Sequence, residues 1–348
     1  MEQVLVTGGN GFVALNIISQ LLLKGYRVTT TIRKEAHIPN VLEALKKQGI
    51  FNVEQQLNFV IAELTADHNW ENAMHGCTYV ISVASPVFFE TPKNEEDASK
   101  PAIDGILRIL KMAEKSKKVK RVVMTSNFGA VGFSQTNKKR QTTEDDWTSL
   151  TTKGLSTYEK SKTLAEKAAW NYINTTKSTL ELCTINPVAI LGPALTNHFS
   201  ASFMLLENLL NNSLKAIPNI PLNIVDVRDV ADIHIRAMEN PNTKNHRFIA
   251  SADGQISLPE IAQLLKAKRP KIAHLIPETT LPTTVLKIAS IFNHKAKEAL
   301  LFTRINRDIS TKNAKNILQW QPITTQEETL LLAVDSLLQY KPELLIQA

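Results

Sequence analysis

The stretch Val6-Thr7-Gly8-Gly9-Asn10-Gly11-Phe12-Val13-Ala14 constrains the fold more than any other part of the chain. It ends the apolar, β-branched run of residues 3–8 and opens a helical pattern over residues 12–24 that stops at Gly25. Small residues recur as Gly9-x-Gly11-x-x-Ala14 and as Gly8-x-x-Gly11-x-x-Ala14. Early glycines make a tight turn and let a pyrophosphate approach the backbone, and a small third residue lets the helix pack closely on the strand. The helix N-terminus then offers unpaired amides to an anion. In this strand, turn and helix context the motif predicts a dinucleotide site on Gly8, Gly11, Phe12 and Val13, where a bare glycine turn would not.

Apolar runs at residues 27–33, 58–64, 79–85, 121–126 and 180–187 continue the pattern, with helical periods between most of them. The clearest is 103–113, where Ile106, Leu107, Ile109 and Leu110 recur at helical spacing. Strands alternating with helices predict an α/β chain, a Rossmann-type doubly wound parallel sheet. After Pro187 breakers interrupt the pattern; residues 224–239 resume a strand and a helix, and beyond about 255 helices and polar loops dominate. The expected division is a dinucleotide-binding domain over 1–188, to which 221–250 returns, with 189–220 and 251–348 forming a smaller, mostly helical C-terminal substrate lobe.

Composition narrows the partners. No apolar run approaches the roughly 18 residues of a membrane span, and the N-terminus enters a strand without a basic n-region, which points to a cytoplasmic protein. Cys77 and Cys183 are isolated from each other and from metal-ligand spacing, so neither a disulfide framework nor a metal site is expected. The formal charge of +7 includes the clusters KSKKVKR at 115–121 and NKKR at 137–140. Without interleaved aromatics or a nucleic-acid module, these read as helix-end and loop cations rather than a nucleic-acid surface. An anionic cofactor is the more economical partner.

The end of the second strand selects that cofactor. An acidic residue there would bond the ribose diol of NAD; this chain has Thr31-Ile32-Arg33-Lys34, followed by Glu35. A guanidinium suits a 2′-phosphate, so Arg33 and Lys34 predict NADP(H).

Ser156-Thr157-Tyr158-Glu159-Lys160-Ser161-Lys162 places a phenol and an ammonium one helical turn apart on one face. A neighbouring cation is expected to lower the tyrosine's pKa from about 10 and to make the pair a proton shuttle. The alternative is a solvated helix face.

The glycine turn, Tyr158-x-x-x-Lys162 and the strand ending INPVAILGP stand in the order of the extended short-chain dehydrogenases/reductases. The segments ASPV (84–87), KPAIDGILRILK (100–111), TSNFGAV (125–131) and VDVRDVADIH (225–234) make the chain similar to the dihydroflavonol 4-reductase-like group, which includes aldehyde and ketone reductases. The resemblance implies Tyr158 as proton donor, Lys162 bonded to the nicotinamide ribose, and a hydroxyl residue holding the substrate oxygen. The family's second serine after the fifth strand is replaced here by Asn127; its amide, or Ser126 rotated into that role, would hold the oxygen. Glu63, Leu64, Ala84, Ser85, Pro86, Pro187 and Val188 would line the cofactor, and Asp226 and Asp229 would fix structure.

The implied function is NADPH-dependent reduction of a small aldehyde or ketone by a monomer or homodimer. Rivals are a nucleotide-sugar epimerase/dehydratase, a hydroxysteroid dehydrogenase, and a non-catalytic NADP(H)-binding regulatory protein. Phe88, Phe128, Phe133, Phe199 and Phe203 are available either as pocket surface or as core.

Overall fold

A computed structural model of the chain describes residues 2–85, 95–176 and 178–345, with the side chains of 95–98 left aside. Seven strands form one parallel sheet: β1 (Gln3–Val6), β2 (Arg27–Ile32), β3 (Leu57–Ile61), β4 (Tyr79–Ser82), β5 (Arg121–Thr125), β6 (Glu181–Pro187) and β7 (Arg247–Ala250), in the order β7-β6-β5-β4-β1-β2-β3. Alternation along the strands separates two cores. Val4, Val6, Ile81, Val123, Cys183 and Ile185 point to one face; Leu5, Val80, Val122 and Leu182 point to the other. Helices α1 (Phe12–Leu23) and α4 (Val227–Glu239) cover the first face, and α2 (Glu95–Ser116) and α3 (Thr157–Thr176) cover the second. With both faces covered the strands read as near-continuous apolar runs, which is why the sequence shows them plainly.

The run at 103–113 is the middle of a 22-residue helix that carries Pro101 inside it. The strand at Ile224–Asp226 does not join the main sheet. It pairs in parallel with Ala189–Leu191 in a sheet of its own, and the segment that returns to β6 is Arg247–Ala250. The C-terminal region is helical, including α5 (Thr283–Phe292), α6 (His294–Arg304) and α7 (Gln326–Tyr340).

Sheet order reverses at β1, so the loops after β1 and β4 part there and leave the crevice in which such sheets bind ligands. All seven strands run the same way, and Gly8, Arg33, Glu63, Ala84, Asn127 and Val188 therefore follow their strands at one edge.

Candidate active site

The glycine turn is held too tightly for side chains. Gly8 has φ +73°, and a Cβ on it would lie 3.0 Å from the Ala84 Cβ. A Cβ on Gly9 would lie 2.2 Å from Thr30 Oγ1, which donates a 2.8 Å hydrogen bond to the Val6 carbonyl. Thr7 Oγ accepts from the Val83 and Ala84 amides, each at 2.9 Å, joining the two loops across the crevice. Gly11 precedes α1, and no side chain caps that helix, so the first-turn amides at Phe12 and Val13 remain available to an anion. Arg33 and Lys34 stand exposed beyond β2, with neither side chain hydrogen-bonded or ion-paired among the described residues. Glu63 is exposed and Leu64 half-buried beyond β3. Pro187 closes β6, and Val188 is anchored by its amide to the Ala250 carbonyl at 3.1 Å. Ser85 is half-buried, whereas Pro86 and Phe88 lie outside the described residues. A cradle without room for Cβ atoms, an uncapped helix and two unengaged cations fit a phosphorylated dinucleotide.

Two imidazoles stand at the Arg33 end, brought together by residues far apart in the chain. His198, from the segment after β6, lies 3.5 Å from Asn10 Nδ2 and meets His37 edge to face at 6.3 Å. Burial, then His37 and Arg33, lowers its pKa.

Tyr158 and Lys162 lie on α3, whose start is fixed by a capping box: Ser156 N donates to Glu159 Oε2 at 3.0 Å and Glu159 N to Ser156 Oγ at 3.3 Å. The Lys162 Nζ stands 5.8 Å from the Tyr158 ring centroid. Asn127 follows β5 and caps the next turn, its Oδ1 accepting from the Ala130 amide at 3.1 Å. That orientation leaves its NH2 free of the cap, and the nearness of Asn127 to Tyr158 favours the phenolate. Gly129 permits the approach, since a Cβ there would lie 3.0 Å from Asn127 Oδ1 and 3.1 Å from Glu159 Cγ.

The expected lowering of the tyrosine is not what this geometry gives. Although 40% of Tyr158 is exposed, the protein around its hydroxyl pushes the pKa up to about 12, with Glu159 adding to the rise and Asn127 opposing it. The ammonium stands over the ring. Burial lowers Lys162 itself to about 8. Glu159 is raised to about 7, by burial first and then by Glu298 of α6.

The structure separates the two candidates for the substrate oxygen. Ser126 is 2% exposed and donates to Glu166 Oε2 at 2.6 Å, away from Tyr158. Glu166 lies one turn beyond Lys162 and is fully buried. It accepts from Thr184 Oγ1 at 3.0 Å, Asn186 Nδ2 at 2.8 Å, Trp170 Nε1 at 3.2 Å and Arg247 Nε at 2.7 Å. Asn186 also reaches the Asn127 carbonyl at 3.2 Å. One buried carboxylate thus ties the helix of Tyr158 and Lys162 to the strand end of Asn127. Sequence reading passed over Glu166, whose one signal was its place on the same helical face, at i+8 from Tyr158.

Asp226 caps α4 and pairs with Arg228, and Asp229 accepts from Ile323 N and Thr324 Oγ1, so both brace α4. Phe128 and Phe203 are core at 2% and 1% exposure; Phe133 and Phe199 pack partly buried against the same core. Among the described residues no cluster of His, Cys, Asp or Glu is placed to hold a metal, and no helix is long and apolar enough to cross a membrane.

A model of the 3-beta hydroxysteroid dehydrogenase/isomerase family matches residues 5–253. Anthocyanidin reductase of Vitis vinifera is 33% identical over 280 residues, covering 76% of this chain and 80% of that protein. Gre2 of Candida albicans, solved in complex with NADPH, is similar with a TM-score of 0.78 and 25% identity, over 98% of this chain and 99% of that one. Vestitone reductase from alfalfa (Medicago sativa L.) has a TM-score of 0.74 and 28% identity, over 97% and 99%.

Proposed function

This chain belongs to the 3-beta hydroxysteroid dehydrogenase/isomerase family, within the extended short-chain dehydrogenases/reductases, and on that premise we propose that it reduces an aldehyde or ketone to an alcohol with NADPH. The observation that carries this reading is the Lys162 ammonium 5.8 Å from the Tyr158 ring, with Asn127 near enough to the same phenol to favour its charged form.

The nicotinamide supplies the hydride when bound; the chain's own residues manage charge and protons. Gly8, Gly11 and the α1 amides hold the pyrophosphate, and Arg33 with Lys34 holds the 2′-phosphate. A phenol with its pKa near 12 keeps its proton throughout the neutral range, ready for the oxygen of the reduced carbonyl. Lys162 opposes the charge left on Tyr158. The Asn127 NH2, left free by the turn that its Oδ1 caps, is available to a carbonyl oxygen arriving beside Tyr158. The anthocyanidin reductase of Vitis and the NADPH complex of Gre2 from Candida support this assignment, and the exposed Arg33 supports NADP(H) over NAD.

NADPH consumption across a panel of aldehydes, ketones and keto esters tests it. Turnover is expected on some members, and Tyr158→Phe is expected to lower kcat by about a hundred- to ten-thousand-fold with the Kd for NADPH retained. Undiminished reduction by Tyr158→Phe would remove the proton donor and with it the mechanism.

A further inference from the structure

Arg307, in the segment between α6 and the next helix, is 7% exposed, yet its guanidinium makes no ion pair and no hydrogen bond among the described residues. Its Nε is fully enclosed without a partner. The side chain lies against the Phe133 ring, 5.8 Å from guanidinium carbon to centroid. The charged group beside it is another cation, Lys138, whose Nζ donates to the Ile305 carbonyl at 2.6 Å. Burial pulls Arg307 down to about 10, and the nearby Arg307 charge helps depress Lys138. Two more buried polar atoms are left without partners around the same segment. Thr142 Oγ1 belongs to a residue that pairs with Ile309, and Asn223 Oδ1 to one whose Nδ2 donates to the Arg307 carbonyl at 3.1 Å.

Enclosing a guanidinium without a counter-ion is expensive, and buried charges are ordinarily paired. Here five donors in a planar fork stand near a second, exposed cation, and among the described residues no carboxylate is paired with them. Arg307 is linked to the reaction site by two chains of contacts. Phe133 packs edge-on at 6.0 Å against Phe128, the neighbour of Asn127. Asn223, which holds the Arg307 backbone, accepts at its own carbonyl from the Ala189 amide, the residue after Val188. Arg307 is therefore fixed one aromatic layer behind the wall that carries Asn127.

We propose that Arg307, seconded by Lys138, anchors a carboxylate on the carbonyl substrate, so that the chain prefers keto acids or aldehyde acids to their neutral counterparts. This rests on the reductase reading. The acidic group sits several bonds from the carbonyl, which spans from Asn127 and Tyr158 past the Phe133 ring.

The test compares a series of keto acids of increasing length with their methyl esters, in wild type and in Arg307→Met. Expected is a wild-type preference for one or more acids over the matching esters. A charged hydrogen bond is worth about 1.5–3 kcal/mol, so Arg307→Met should cut that acid-to-ester ratio of kcat/KM by roughly 10- to 150-fold, mainly through KM. Arg307→Lys should restore part of the ratio, which a merely structural role would not do. A preference left intact in Arg307→Met, or no preference in wild type, overturns the proposal.

A second measurement needs neither turnover nor a folded variant. Calorimetric titration of the wild-type NADP+ complex with benzoate should show binding that the neutral isostere benzamide lacks; equal binding of the two overturns the anchor. Anion binding without reduction of any carbonyl would sink the reductase reading and leave the anchor standing, and reduction indifferent to charge would do the reverse.

Discussion

Arg247 Nε and Glu166 Oε1 form an ion pair of 2.7 Å across 81 positions of sequence, with 9% of the arginine side chain and none of the glutamate exposed. Arg247 also donates to the Glu144 and Asp146 carbonyls and stacks on Trp147 at 3.8 Å, while Glu166 gathers Ser126, Thr184 and Asn186. Removing one member of such a pair leaves a buried charge. Arg247→Met is expected to destabilise the chain by about 3–5 kcal/mol, read from urea unfolding. A change below about 1 kcal/mol would mean that the remaining donors satisfy Glu166 alone.

Asn127 and Ser126 should separate by readout. Loss of one oxyanion donor costs about a hundred- to a thousandfold in kcat, so Asn127→Ala should fall in that range. Asn127→Ser, which restores a hydroxyl near the tyrosine, should recover part of it. Ser126→Ala should act on stability instead, by about 1–3 kcal/mol through the charged hydrogen bond lost from Glu166 Oε2, which keeps its bond from Asn186. The reverse pattern, with Ser126→Ala losing turnover, would exchange their roles.

Alkaline pH should inhibit through Lys162. Burial brings its pKa down to about 8, so the ammonium is present below that value and lost as pH rises through it, whereas Tyr158 keeps its proton to about 12. The rate of reduction should hold through neutrality and decline above about pH 8. In Lys162→Arg the decline should vanish at whatever activity remains, because a guanidinium does not titrate there. A decline of the same midpoint in that variant would assign it to another group.

Glu144, 5% exposed, is pushed up to about 7 from 4.5, mainly by burial. The raised folded value means that its contribution to stability is complete below about 4.5, where both states are protonated, and is lost as pH rises through about 7. Glu144→Gln should therefore match the wild type near pH 4 and exceed it near pH 8, by up to about 3 kcal/mol. Equal unfolding free energies at both pH values would show that the carboxylate is already accommodated.

Arg33→Ala should raise KM for NADPH by about ten- to a hundredfold, the worth of a charged contact to phosphate, while KM for NADH changes little. A parallel rise for both cofactors would indicate that Arg33 supports the loop rather than the 2′-phosphate.

Local rules made much of this protein legible in its sequence. The glycine turn, the β-branched strands and the Tyr158–Lys162 spacing each depend on neighbours within a turn or a strand, so the residue types alone dictate the geometry. The sheet and the cofactor edge follow from them, because parallel strands bring every strand-end loop to one side. Tertiary structure alone decided what surrounds those groups. Glu166 meets Arg247, Asn186 holds Asn127, and Arg307 is enclosed behind Phe133 through contacts between residues far apart in the chain. The pKa of Tyr158 belongs to that second class. Spacing predicts a lysine nearby, but only folding determines that the ammonium stands over the ring and that burial and Glu159 together outweigh the influence of Asn127.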